Sequence, residues 1–365
     1  MIDQTILLII LPLTISFLIA FFATPLSTKI AWKLKMVDEP SMHKHPKVIH
    51  TYPVPRGGGI PILIALLVTS FIFLPMDQHL RGILLGAVFA SIVGLFDDRF
   101  DLNPYLRLFT SFITAGIVVA AGIGISFVSS PFSGIIDLSG PKITFDLLGE
   151  QRNLWILADF FALFWIAWCM NFIGWSGGVE GQLPGVVVIA ALTIGLLSLR
   201  FSADITQWPV AILAAITSGA YLGFLPFNFY PQKIMPGYSG KSLAGFLLAT
   251  LSILATAKIG TLVVVLGVPL IDAFYTIIRR VAKGHSPFWG DRGHLHHKLL
   301  DLGWSKKRIA VSYWGITFIL GILALNLNSQ HKLYTMITIT TLIGGFLLWI
   351  TYFTKSQSPQ DPDNG

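Results

Sequence analysis

Three carboxylates and an arginine, Asp97, Asp98, Arg99 and Asp101, fall within five residues. They follow Gly82–Phe96, an uncharged apolar segment, so the cluster sits where a membrane-type helix would meet water. Two adjacent carboxylates repel each other in low dielectric unless a proton or a cation sits between them. The cluster therefore asks for a divalent metal, a basic side chain or a shared proton. The plainer alternative is a solvated loop that ends a helix.

Further polar stretches have the same character. Arg56-Gly57-Gly58-Gly59 could bring backbone N–H groups and a guanidinium fork to an anion, or could simply loosen the start of a helix. Lys44, in the basic run just before it, suits phosphate or an anionic lipid surface. Asn171 to Gly181 is glycine-rich with one carboxylate, Glu180, and alone is an ordinary helix end. Gly237-Tyr238-Ser239-Gly240-Lys241-Ser242 lacks the spacing of a nucleotide-binding phosphate loop, which excludes an NTPase of that kind. Arg279 to Lys298 packs four histidines and five Lys or Arg into twenty residues. Its His294, His296 and His297 could ligate a transition metal or hydrogen-bond phosphates, and the neighbouring cations favour phosphate. Asp272 lies inside an apolar segment, a costly place for a carboxylate, so it is a functional candidate unless Arg279 or Arg280 pairs with it.

The elements that position these residues are membrane spans. The chain has 365 residues, of which 54% are hydrophobic and 12% charged, with a mean hydropathy of +0.72. Soluble domains carry about 25% charged residues. The pattern predicts an all-α polytopic membrane protein. A span needs about 20 apolar residues. Eleven segments are expected: Thr5–Thr24, Gly59–Met76, Gly82–Phe96, Tyr105–Val128, Leu154–Ile173, Val186–Leu199, Pro209–Phe227, Leu243–Ala257, Gly260–Ile278, Ala310–Leu327 and Leu333–Phe353. Thr5–Thr24 has no basic stretch before it and reads as a retained first span. Alternation puts 19 of the 25 Lys and Arg on one side. The positive-inside rule then places the N-terminus outside, the C-terminus inside and the acidic cluster in the cytoplasm. Outside, Ile135–Leu138 and Ile143–Leu147 flank Ser139-Gly140-Pro141 and predict a small β-hairpin. Residues 1–354 read as one transmembrane domain and 355–365 as a disordered cytoplasmic tail. The single Cys169 excludes a disulfide framework and a Cys-based metal site.

Pro55-Arg56-Gly57-Gly58-Gly59, Gly94-Leu95-Phe96-Asp97-Asp98-Arg99, Gly267 to Asp272, and Ser286-Pro287-Phe288 running on to Asp291-Arg292-Gly293-His294-Leu295-His296-His297 together resemble the polyprenyl-phosphate N-acetylhexosamine-1-phosphate transferases (glycosyltransferase family 4). The resemblance covers nearly the whole chain. It implies transfer of a HexNAc 1-phosphate, with GlcNAc foremost, from a UDP-sugar to undecaprenyl phosphate at the cytoplasmic face of the cell membrane, releasing UMP for cell-envelope polymer synthesis. It implies catalytic roles for Asp97, Asp98, His294, His296 and His297. Substrate contacts would come from Lys44, Arg56, Gly57, Gly58, Asn171, Lys241, Asp272 and Arg292. Mg²⁺, or Mn²⁺, would be held by Asp97, Asp98, Asn171 and Glu180. The implied partners are the lipid, the nucleotide sugar and the membrane, with no nucleic acid, and a homodimer stays open.

The chain departs from the family pattern. Where the family reads Asn-x-x-Asn-x-x-Asp-Gly-x-Asp-Gly, this chain keeps Asn171 but has Gly174, Gly177 and Glu180. Where the family has a Mg²⁺-binding Asp in Gly-Asp-x-Gly-Ser, this chain has Tyr238, with Lys241 in place of the Ser. After the Asp pair, the family's Lys and Gln are Arg107 and Ser111. A catalytically inactive relative that still binds lipid phosphate or nucleotide sugar is the first alternative. A transporter of lipid-linked sugar is the second, although charged or helix-breaking residues in mid-membrane and an inverted repeat, its usual marks, are not evident.

Overall fold

The computed structural model describes residues 2–40, 49–130, 132, 134–147, 150–255, 258–287 and 291–353. Lys44, Phe288 and the 355–365 tail lie outside the described residues. The chain runs α1 (Ile2–Lys33), β1 (Val37–Asp38), β2 (Val54–Pro55), α2 (Gly59–Phe73), α3 (Gln78–Phe100), α4 (Pro104–Ala120), β3 (Phe127–Ser129), β4 (Ile135–Asp137), β5 (Lys142–Leu147) and β6 (Glu150–Trp155). It continues through α5 (Ile156–Ser176), α6 (Gln182–Arg200), α7 (Gln207–Asn228), α8 (Gly237–Leu254), α9 (Lys258–Val265), α10 (Gly267–Ala282), α11 (Leu295–Asp301), α12 (Lys306–Asn326) and α13 (Ser329–Phe353). It is a multi-pass helical membrane protein.

Each expected span has a helix, but the count of eleven is not reproduced by length and composition. Among the described residues seven helices are long and apolar enough to cross a membrane, or eight if a bent pair is one span. With 15 and 17 residues, α2 and α4 fall short of a hydrocarbon layer about 30 Å thick at about 1.5 Å per residue. The ninth expected span is broken: α9 and α10 meet at 81°. Pro269 fits the break, because it lacks the N–H that would continue the ladder and its ring would clash with the carbonyl four residues back, so it is placed in the first turn of a new helix. Asp272 therefore lies on a separate helix rather than deep in a continuous span.

The polar excursion between α4 and α5 holds two hairpins where one was expected. Strands form at both anticipated runs, but Ile135–Asp137 pairs with Phe127–Ser129, and Lys142–Leu147 pairs with Glu150–Trp155. The Ser-Gly-Pro segment links the hairpins instead of turning one.

The core is centred on α8, which is almost wholly buried and packs against α2, α3 and α5. Small residues let it come close. A side chain at Gly94 of α3 would overlap the backbone of Ser239. That approach sets the polar end of α3 beneath the start of α8. Gly94→Val is expected to cost roughly 1–3 kcal/mol through overpacking. A lower melting temperature in detergent would register it, and an unchanged one would show that the helices do not meet this closely.

Candidate active site

Asp97 and Asp98 sit on the last turns of α3, and both are buried, at 3% and 4% exposure. They do different work. Asp98 points at the start of α8, where its Oδ1 accepts from the Tyr238 amide at 2.6 Å and its Oδ2 from the Ser239 hydroxyl at 2.6 Å. It caps α8 from another helix, satisfying orphan N–H groups and matching the positive end of the helix dipole. Gly237 has φ +65° and no room for a side chain, since a Cβ would overlap the Asp98 carboxylate. Asp97 accepts on Oδ1 from the Leu102 amide at 3.0 Å and pairs there with Arg107 Nε at 2.5 Å. Its Oδ2 makes no hydrogen bond among the described residues. Arg107 also holds Asp101 at 2.9 Å and lies over the Tyr238 ring, 5.2 Å from its centroid.

The glycine run at the start of α2 is not a free anion cradle. Gly58 N–H donates to Met235 O at 3.0 Å, and Gly59 N–H to Ser239 Oγ at 3.2 Å. These amides dock α8 and do not face a ligand. Arg56 extends from the β1–β2 pair and binds Asp38 at 2.9 Å.

The histidine loop is held from α10. Asp272, 1% exposed, receives His294 Nδ1 at 2.9 Å and the Leu295 amide at 2.7 Å. It therefore positions the loop, and neither Arg279 nor Arg280 is its partner. Arg280 Nη2 lies 3.4 Å from His294 Nε2. His294 Nδ1 thus faces a carboxylate and Nε2 a guanidinium, and the ring, held between them, orients its neighbours. Arg279 and Arg280 both clasp Asp291, at 2.6 and 3.2 Å. Burial alone would raise the Asp291 carboxyl, but hydrogen bonding from Arg280 and the charge of Arg279 hold it down at about 2. The His294 and His296 rings stack at 5.6 Å, and His297 follows at 4.3 Å. Burial first, then the charges of His297, His294, Lys241 and Arg292, keep His296 well below the ordinary imidazole value. His296 is thus a neutral ring, and its buried Nδ1 has no hydrogen-bond partner among the described residues. It packs so closely on Gly178 that a Cβ there would overlap the imidazole.

These groups share one cavity of about 420 Å³. Its wall brings together Arg56, Asp97, Asp98, Asn171, Glu180, Lys241, His294, His296 and His297 from six separate stretches of chain. Gly57, Gly58, Asp272 and Arg292 lie outside that wall. Gly57 bends the chain at φ +101°, and Arg292 binds Asp301 at 2.8 Å. The wall also holds Asp38, His50, Asp101, Arg107 and Asp291, which sequence reasoning did not select as site residues. Arg107, ten residues after Asp97, was detectable only as a departure from the family pattern.

The residues present do not form a ready metal site. Among the described residues no three His, Cys, Asp or Glu side chains come together as a ligand set. The expected set of Asp97, Asp98, Asn171 and Glu180 is dispersed by other bonds. Arg107 pairs with Asp97, Asp98 caps α8, and Glu180 binds Lys306 Nζ at 2.6 Å.

Comparison with known proteins points one way. The model of glycosyl transferase family 4 matches residues 80–256, from α3 through α8. A Bacillus subtilis (strain 168) protein named "Probable undecaprenyl-phosphate N-acetylglucosaminyl 1-phosphate transferase" is 28% identical over 94% of this chain and 91% of its own length. A decaprenyl-phosphate N-acetylglucosaminephosphotransferase of Mycobacterium leprae is 29% identical over 80% of this chain and 77% of its own. A phospho-N-acetylmuramoyl-pentapeptide-transferase of Bacillus cytotoxicus is 28% identical over 85% and 95%.

The neutral His296 gives a signed prediction. The unfolded chain takes up this proton below the ordinary imidazole value of about 6.5, and the folded chain does so only at lower pH. Stability should therefore fall as pH drops below about 6.5, by up to about 1.4 kcal/mol per pH unit from this group. The Asp291 contribution is lost in a lower window, between about 4 and about 2. Melting curves of His296→Gln should be flatter than wild type from pH 6.5 to 5. An identical slope would show that this ring is not the group that titrates.

Proposed function

We propose that this chain is a member of glycosyl transferase family 4 and transfers N-acetylhexosamine 1-phosphate from a UDP-sugar to a polyprenyl phosphate. GlcNAc is the sugar that the relatives' names favour. The observation that carries the proposal is the single cavity joining the acidic end of α3 to the histidine loop. Beside it, Phe96, Phe100, Tyr105 and Phe109 are exposed on α3 and α4, an apolar surface suited to an isoprenoid tail. One wall thus serves a lipid and the other a soluble diphosphate.

In the reaction, an oxygen of the lipid phosphate bonds to the β-phosphorus of the UDP-sugar. The bond from that phosphorus to the bridging oxygen breaks, and UMP leaves with the electron pair. Such transfers depend on positioning and charge neutralisation. Asp97 Oδ2 is the group available to take a proton from the lipid phosphate. Neutral His296 orients the diphosphate, with His297 beside it. His294 and Asp272 hold both rings in place, and Lys241 and Arg56 add positive charge to the wall. The concentration of Lys and Arg on this face supports a cytoplasmic site in the cell membrane, feeding envelope polymer or peptidoglycan precursor synthesis. The family generally needs a divalent metal. Mg²⁺, and next Mn²⁺, would suit the oxygen donors of a diphosphate, but the described residues present no assembled ligand set to receive either.

A second reading, a binding-only relative, draws on Gly177 and Tyr238, which stand where the family has carboxylates. Purified protein given undecaprenyl phosphate and radiolabelled UDP-GlcNAc separates the two. Label should enter the lipid phase and fall by roughly 10²-fold or more in Asp97→Asn, the scale of a lost general base. No lipid product with any UDP-HexNAc, while UDP-GlcNAc still binds, would favour the binding-only relative.

A further inference from the structure

Every carboxylate on the cavity wall already has a partner within the chain. Arg56 holds Asp38, Arg107 holds both Asp97 and Asp101, Lys306 holds Glu180, and Arg279 and Arg280 hold Asp291. Asp98 is spent on the N-terminus of α8. Among the described residues Asp38 Oδ1 and Glu180 Oε2 are buried without a hydrogen bond and Asp97 Oδ2 makes none, but each belongs to a group that already carries a cationic partner. A dication drawn to Asp97 would sit beside a guanidinium 2.5 Å from the same carboxylate, like charge against like.

The exchange at position 238 fits this arrangement. A neutral Tyr hydroxyl is a poor ligand for a hard cation. Its ring, however, offers Arg107 an electron-rich face at 5.2 Å. With Nε in ion-pair contact with Asp97 and Nη2 hydrogen-bonded to Asp101, the guanidinium still has N–H donors to offer, in a planar fork matched to phosphate.

Resting on the transferase reading, we propose that Arg107 takes the place of the divalent metal in this site. Clamped by Asp97 and Asp101 and stacked on Tyr238, it neutralises the charge on the diphosphate as the β-phosphorus moves from the UMP oxygen to the lipid oxygen. The reaction then needs no divalent cation.

Two measurements decide it, one with activity and one without. Wild-type transfer in excess EDTA should stay within about threefold of the rate with Mg²⁺. Arg107→Gln should lose roughly 10³-fold in EDTA, within the range an arginine contributes to phosphoryl transfer. Added Mg²⁺ should restore at least about tenfold of that loss by occupying the freed Asp97 and Asp101. Arg107→Lys should keep more activity in EDTA than Arg107→Gln, and without a gain from Mg²⁺. In parallel, Mn²⁺ is titrated into each protein and followed by electron paramagnetic resonance. Wild type should show no site tighter than about 10⁻⁴ M, and Arg107→Gln should gain one. A wild-type rate that collapses in EDTA and returns with Mg²⁺ overturns the proposal, as does a tight Mn²⁺ site in wild type. If wild type transfers no sugar under any condition, the transferase reading fails. The Mn²⁺ titration still decides this point, since a wild-type site overturns it and a site only in Arg107→Gln upholds it.

Discussion

The site depends on one buried carboxylate at the end of a helix. Asp98 accepts from the first amides of α8 and from Ser239, so α3 and α8 share a polar junction inside an otherwise apolar core. The α2 start joins through Gly58 and Gly59, whose amides reach Met235 and Ser239. Burying a charge this deeply is tolerable only with such pairing. The junction fixes where Asp97 points, because it is the next residue on the same turn. A side chain at Gly237 would break the contact as surely as losing the carboxylate.

Around that junction the cavity is built from clasps between cations and carboxylates, most of them between neighbouring segments of chain and one between distant ones. Glu180 and Lys306 are 126 residues apart, yet they tie the loop after α5 to the start of α12. Buried pairs of this kind add little net stability, but breaking one leaves a stranded charge. They are better understood as locating devices, since Lys306 and Arg279 with Arg280 tie loops to helix ends, and Arg107 ties α4 to α3. The break at Leu266 has a similar role. It frees α10 to turn and carry Asp272 to the histidine loop.

Much of this was legible in the sequence. In a chain with so little charge, Asp97, Asp98, Glu180 and the clustered histidines stand out by type alone, and the structure brings them to one cavity. What was not legible concerns partners. A single sequence shows that Asp98 is acidic, not that a helix 140 residues later will claim both its oxygens. It shows glycines at 57 and 58, which suggest an anion cradle, but not that the Gly58 and Gly59 amides are spent on α8. The hairpin pairing failed for the same reason. Alternation finds strands, whereas which strands pair depends on turns that short polar runs specify weakly. Two of the expected spans ran too far, because apolar composition continues through Val128 and across Leu266, where the helices stop.

Gly178 lies in the loop after α5 and His296 on α11, yet they occupy a shared space in which only one of them can carry a side chain. The two positions are therefore one inherited character. A lineage that gains a methyl group at 178 has no room for the imidazole at 296, and one that loses the imidazole is released from glycine at 178. Across descendants of this chain a side chain at 178 should appear only where the imidazole at 296 has gone, and a chimera joining its first half to the second half of a relative would succeed or fail at that pair.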